Sequence, residues 1–117
     1  MHEFKVEKVE QDGAVIYRMS GVLGDAHQPH DFHEVFLEHL PSLPDRIVFN
    51  LQDVENLYSA GIGIIANCFT EAKSAGKALV LCCVPGHITK ILTLTGVMPL
   101  LNAVGTEAEA LEAPTSD

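Results

Sequence analysis

Ser59, followed by Ala60, Gly61, Ile62 and Gly63, is the first place where this chain could do chemistry. It stands just ahead of Ile62, Ile65, Ala66, Phe69 and Ala72, whose three- and four-residue steps mark the inward stripe of a helix. A serine there is expected to be the N-cap, its hydroxyl accepting from the free amides of the first turn for about 1 kcal/mol. The same location puts the hydroxyl at the positive end of a helix, where a phosphate is tolerated. Ala60, Gly61 and Gly63 keep the surrounding surface bare, so another protein could approach the backbone closely.

Two other groupings carry metal or redox potential. His27, His30 and His33 are spaced by three, with Asp25, Asp31 and Glu34 around them and His39 beyond. On one continuous helix they would lie near each other and could ligate a metal. Pro29 interrupts such a helix, so no resident metal is expected. Cys68, Cys82 and Cys83 are odd in number and contain no C-x-x-C spacing. They read as small buried hydrophobes, with Cys82 and Cys83 pointing to opposite faces of a strand. Enzymatic chemistry lacks its usual frames. Ser59 has no G-x-S-x-G elbow and no Asp/His pair positioned to activate it. Gly61-Ile62-Gly63 lacks the third glycine of a dinucleotide fingerprint. No catalytic residue and no cofactor is expected.

The elements that must position Ser59 are readable around it. Residues 46–51, with Ile47, Val48 and Phe49, form a β-branched and aromatic run expected as a buried strand, followed by a loop over 52–58. Residues 78–84 are apolar without alternation, as in a strand covered on both faces. With the helix between, which Gly76 stops, these make a βαβ unit, expected to be right-handed. Upstream, residues 4–10 alternate apolar and charged, Asp12-Gly13 signals a hairpin, and residues 14–19 return as a second strand. Phe32, Val35, Phe36 and Leu40 have helical spacing. Asp31-x-x-Glu34 is a candidate capping box, Pro29 an alternative opening one turn earlier, and Pro41 and Pro44 the stop. Downstream, Pro85 starts a helix with Ile88, Ile91 and Leu92 inward and Gly96 as its end. Residues 98–102 are expected as a short edge segment. Thr106-Glu107-Ala108-Glu109 is a capping box for a last helix through Ala113.

This pattern resembles the STAS domain family, named for sulphate transporters and anti-sigma factor antagonists. The resemblance is carried by Ile47 to Leu51, Val54, Tyr58-Ser59-Ala60-Gly61-Ile62-Gly63, Gly76 to Leu81, Val84, Ile91-Leu92 and Thr95-Gly96-Val97. It covers most of the chain and is weakest over 25–44. It implies one α/β STAS-like domain over 1–113, with a frayed tail at 114–117. The expected sheet is mixed and four- to five-stranded, with about four helices packed mainly on one face. It also implies an anti-sigma factor antagonist. Ser59 would be the phosphoacceptor, and Tyr58, Ser59, Ala60, Gly61, Ile62 and Gly63 the surface for an anti-sigma factor serine kinase, with loops 23–30 and 55–58 beside it. A serine phosphatase would be a second partner. The family usually has an acidic residue before the serine and often a second serine after it; here Tyr58 and Ala60 stand there. Alternatives from the same sequence are a non-phosphorylated STAS subunit of a transporter or stress-signalling assembly, a small anion-binding domain, and an uncharacterised enzyme.

Charge narrows the partners. Sixteen acidic and seven basic residues give a net charge of −9 in 117 residues. Nucleic acid and anionic membranes demand a cationic surface, so neither is expected as the main partner. No apolar run approaches the ~20 residues of a membrane-spanning helix, and residues 1–5 contain no signal-peptide apolar core, so a cytoplasmic protein is expected.

Overall fold

A computed structural model describes residues 2–25 and 31–112. Asp12 and Gly13 both take positive φ, 55° and 75°. That is the requirement of a two-residue hairpin whose twist matches its strands. The first strand, β1 (Lys5–Gln11), therefore lies antiparallel on β2 (Ala14–Leu23), with Gln11 opposite Ala14. Three further strands run parallel to β2: β3 (Arg46–Leu57), β4 (Ala78–Cys82) and β5 (Ala103–Val104). Their order across the sheet is their order along the chain. Helices α1 (Phe32–His39), α2 (Ser59–Ser74) and α3 (Gly86–Leu94) supply the crossovers, and α4 (Glu107–Glu112) follows β5. The fold is the expected mixed α/β sheet, with five strands and four helices among the described residues.

Strand alternation separates two cores. Val15, Tyr17, Met19, Ile47, Phe49 and Leu51 face α1, α2 and α3 and pack on Phe36, Ile65, Cys68, Ile88 and Leu92. Ile16, Val48, Val80 and Cys82 face the other way and pack on Ala110 of α4. Three helices therefore share one face and a single short helix covers part of the other. The larger core holds an aromatic group in which Tyr17, Phe32, Phe36 and Phe49 meet mostly edge to face, with centroids 5.5 to 6.0 Å apart. Such pairs add to the burial of the rings themselves.

Several sequence expectations need correction. The stretch 52–57 is not a loop, because β3 continues to Leu57. It pairs with β4 no further than Asn50 opposite Cys82, so its second half bonds β2 alone. Val54 and Leu57 stay inward there while Gln52, Asp53 and Glu55 are exposed. Polar residues on a half-open strand look like a loop in sequence. Asp31 precedes α1 but its side chain makes no capping bond. The alternative start at Pro29 lies outside the described residues. Met98–Leu100 is a 3₁₀ turn, and the edge strand comes after it, at Ala103–Val104. Cys83 leaves the strand at φ 58°, so the expected alternation of Cys82 and Cys83 does not apply.

The expected capping box of α4 forms in its first half, while the Glu109 carboxylate accepts from the Thr106 hydroxyl at 3.3 Å and not from its main-chain N–H. The Glu109 N–H donates to Thr106 Oγ1 at 3.1 Å. Glu107 is clamped from the sheet: Arg18 donates to it through Nε at 2.9 Å and Nη2 at 3.0 Å, and Asn50 Nδ2 at 2.5 Å. At the other end, Arg46 Nη1 donates to the Ala110 carbonyl at 2.6 Å. The end of α4 at Ala113 and the tail 114–117 lie outside the described residues. No helix of the described residues is long and apolar enough to cross a membrane.

Candidate functional site at the start of helix α2

β2 and β3 run parallel and end side by side, at Leu23 and Leu57. Both exits are tied together. The Tyr58 N–H donates to the Leu23 carbonyl at 3.0 Å, and the first helical bond runs from the Ile62 N–H to the Tyr58 carbonyl at 3.0 Å. Tyr58, not Ser59, is the N-cap of α2; it is extended at φ −99° and ψ 173°, and its side chain makes no capping bond. Ser59 is thus the first helical residue. Its hydroxyl is not committed to the helix as expected, and the side chain is exposed.

The glycines divide into two kinds. A Cβ on Gly61 would sit 2.3 Å from the Leu23 carbonyl oxygen, and one on Gly24 would sit 2.1 Å from the Gly61 nitrogen. The start of α2 is therefore pressed backbone to backbone against the exit of β2, which neither residue could permit with a side chain. Gly61 is buried and serves internal packing, which corrects its expected role in admitting a partner. Gly63 differs, because a Cβ there would meet nothing within 4 Å. Exposed Tyr58, Ser59, Ala60 and Gly63 form the outward strip, while Ile62 packs partly on the core. The six residues singled out from sequence thus sit at one place, four outward and two inward.

The electrostatics leave the first turn of α2 unbalanced. It contains no acidic residue. Its free amides and positive dipole end are not offset by its own side chains. Carboxylates stand further back on β3. Glu55 bonds His2 through both the ring Nδ1 and the main-chain N–H, the latter at 3.3 Å. Partial desolvation works to raise the Glu55 pKa, but the two hydrogen bonds from His2 outweigh it and hold the carboxyl below its ordinary value. The Glu55 carbonyl lies 2.8 Å from His87 Nε2, so the start of α3 borders the same end of the sheet. Of the two expected flanking loops, 55–58 is strand end and N-cap. In the other, Leu23, Gly24 and Asp25 are described and the rest is not.

The competing chemistries find little support in the geometry. His33 sits on α1 with Nε2 buried and without a hydrogen-bond partner among the described residues, and His27 and His30 lie outside them. Among the described residues, no grouping of three or more His, Cys, Asp and Glu is arranged to hold a metal. Burial, helped by the charge of Glu71, pushes the Cys68 thiol up to about 12, and burial also raises Cys82. Neither is a thiolate nucleophile near neutral pH. Sequence reading missed the Gly24–Gly61 contact and the Arg18–Glu107–Asn50 clamp. Arg18 and Glu107 are 89 residues apart, so no local pattern signals their bond.

The STAS domain family model matches residues 5–110. Among solved structures, a Thermotoga maritima protein described as an anti-sigma factor antagonist is 26% identical, with 92% of each chain covered and a TM-score of 0.76. The Bacillus cell fate determinant SpoIIAA in its phosphorylated form is 20% identical, covering 93% of this chain and 96% of its own, with a TM-score of 0.68. The STAS domain of a SulP transporter from Vibrio cholerae is 18% identical over 82% of this chain and 76% of its own, with a TM-score of 0.67. The last two show likeness of fold.

Proposed function

The chain belongs to the STAS domain family, and from that premise we propose that it is an anti-sigma factor antagonist switched by phosphorylation of Ser59. In this reading it docks on an anti-sigma factor serine kinase through Tyr58, Ser59, Ala60, Ile62 and Gly63. Gly61 contributes by holding the helix start against β2. Docking frees the sigma factor and so regulates transcription in the cytoplasm. A serine phosphatase resets the switch. The domain itself has no catalytic residue, metal or cofactor, binds no nucleic acid and does not insert into a membrane.

The observation that carries this reading is the uncommitted, exposed Ser59 hydroxyl at a helix start without acidic residues. A dianion added there is stabilised by the amides of the first turn, so the domain need not rearrange. The same dianion in a close interface costs repulsion and desolvation, which ejects the kinase. The 26% identity to the Thermotoga antagonist over nearly the whole chain supports the partner class.

The test is a reaction with a cognate kinase, ATP and magnesium, read by intact mass and peptide mapping. One phosphate is expected, lost in Ser59→Ala, with kinase affinity falling by about 1–3 kcal/mol on phosphorylation. Tyr58 stands where the family carries an acid, and 40% of it is exposed beside the hydroxyl. Tyr58→Asp is expected to speed the reaction without moving its site. Phosphate on another residue, or none with a kinase that demonstrably binds, would reject the switch in favour of a constitutive STAS binding module.

A further inference from the structure

On the edge of the sheet away from β4 lies a groove of about 310 Å³ between β1, β2 and α1. Phe4, Tyr17 and Phe32 form its apolar floor, and Val35, 37% exposed, stands at its side. Lys8 and His39 line it too, with Asp31 toward the start of α1. The Lys8 ammonium is 6.0 Å from the centre of the Tyr17 ring.

Tyr17 is the unusual member. It is 4% exposed, and its hydroxyl has no hydrogen-bond partner among the described residues. Burying a hydroxyl unpaired is unfavourable, and phenylalanine would keep the same edge-to-face contacts without that cost. Burial, with smaller contributions from Cys68 and Glu10, raises the Tyr17 pKa to about 12, so the group is a neutral donor at physiological pH. An orphan donor beside a groove, with an ammonium close by, calls for an anionic acceptor. The hydroxyl is covered here, so a ligand reaches it by displacing part of the groove wall, to which Phe4, edge-on to Phe32 at 5.8 Å, belongs.

We propose that this groove binds a small aromatic carboxylate, its ring against Phe4, Phe32 and Val35 and its carboxylate between the Lys8 ammonium and the Tyr17 hydroxyl. The groove size is at the lower end of small-molecule sites, which suits a ligand of one or two rings. The site is separate from Ser59, so binding here does not depend on the partner switch.

The probe is phenylacetate, titrated into the isotope-labelled full chain and read by amide chemical shifts. Saturable shifts confined to β1, β2 and α1 are expected at millimolar ligand. Tyr17→Phe and Lys8→Ala should each weaken binding by about fivefold or more, the loss of one hydrogen bond or charge contact. Unliganded Tyr17→Phe should melt no lower than the parent. Phenylacetamide, of the same shape without the charge, should bind more weakly, and Ser59→Ala should bind unchanged. The proposal is overturned if shifts fail to saturate, gather instead at exposed Leu94 and Leu100, or are equally strong in Lys8→Ala. Lys8 is a surface residue, so its variant keeps the test valid should Tyr17→Phe fold poorly.

Discussion

Helices α2 and α4 begin in opposite ways. At α4, Thr106 caps the Glu109 amide, Glu107 and Glu109 sit in the first turn, and Arg18 and Asn50 clamp Glu107 from the sheet. A side-chain cap and two first-turn carboxylates, the features that favour a helix start, are supplied by the chain's own side chains. At α2 the N-cap side chain makes no capping bond, the first turn carries no acid, and the leading serine is exposed. The backbone holds this start in place instead, through the Gly24–Gly61 contact and the bond from Tyr58 to Leu23. A helix start fixed by backbone leaves its leading serine available for another use, whereas one fixed by side chains has none of them to spare.

Substituting the glycines should break the contrast most visibly. Gly61→Ala forces a methyl group into the Leu23 carbonyl, a backbone atom that cannot swing away. It is expected to cost about 3 kcal/mol or more in urea unfolding, at the upper end of overpacking effects. Gly63→Ala, with open space around it, should leave stability equal or raise it by up to ~1 kcal/mol while weakening partner binding. Equal losses from the two changes would show that backbone contact does not distinguish the sites.

The clamp on α4 comes next. Glu107→Ala strands Arg18 and Asn50 and should cost about 1–2 kcal/mol. The hydrogen bond from Arg18, joined by one from Asn50 and opposed by partial burial, holds the Glu107 carboxyl below its ordinary range. Its folded pKa is lower than its unfolded one, so its contribution is full above the unfolded value and disappears as pH falls through the folded value. Urea unfolding on acidification should therefore show a steeper loss in the parent than in Glu107→Gln.

The smallest effects are the sharpest comparison. Thr106→Ala should cost about 1 kcal/mol as a lost cap. Ser59→Ala should change stability by no more than ~0.5 kcal/mol, since no cap bond is lost, although Ser59, like Thr106, reads from sequence as a cap. A Ser59→Ala loss matching that of Thr106→Ala, by thermal melting, would return Ser59 to an ordinary structural role.

The sequence made legible what is local and periodic. The hairpin at Asp12-Gly13, the strand at Ile47, the stripe of α2 and the capping box at Thr106 follow from turn chemistry and spacing. It misled where pairing partners change along one strand: β3 turns polar once β4 no longer flanks it, so its second half resembled a loop. The cap of α2 was displaced by one residue, because Ser59 has the chemistry of an N-cap but Tyr58 has the extended backbone. Gly61 and Gly63 are identical in sequence, and only the position of Leu23, far along the chain, separates their roles.

The strand order, sequential from β1 to β5, makes β1 and β5 the outer strands of the sheet, and the half of β3 beyond Asn50 is open on its β4 side. A margin is a row of unpaired amides and carbonyls that invites another copy to join. Both outer strands are blunted here by different means. β1 carries Lys5, Glu7, Lys8 and Glu10 along its seven residues, and β5 is only two residues long. Neither outer strand offers a long uncharged ladder, so copies of this chain can crowd together there without zipping into a continuous sheet.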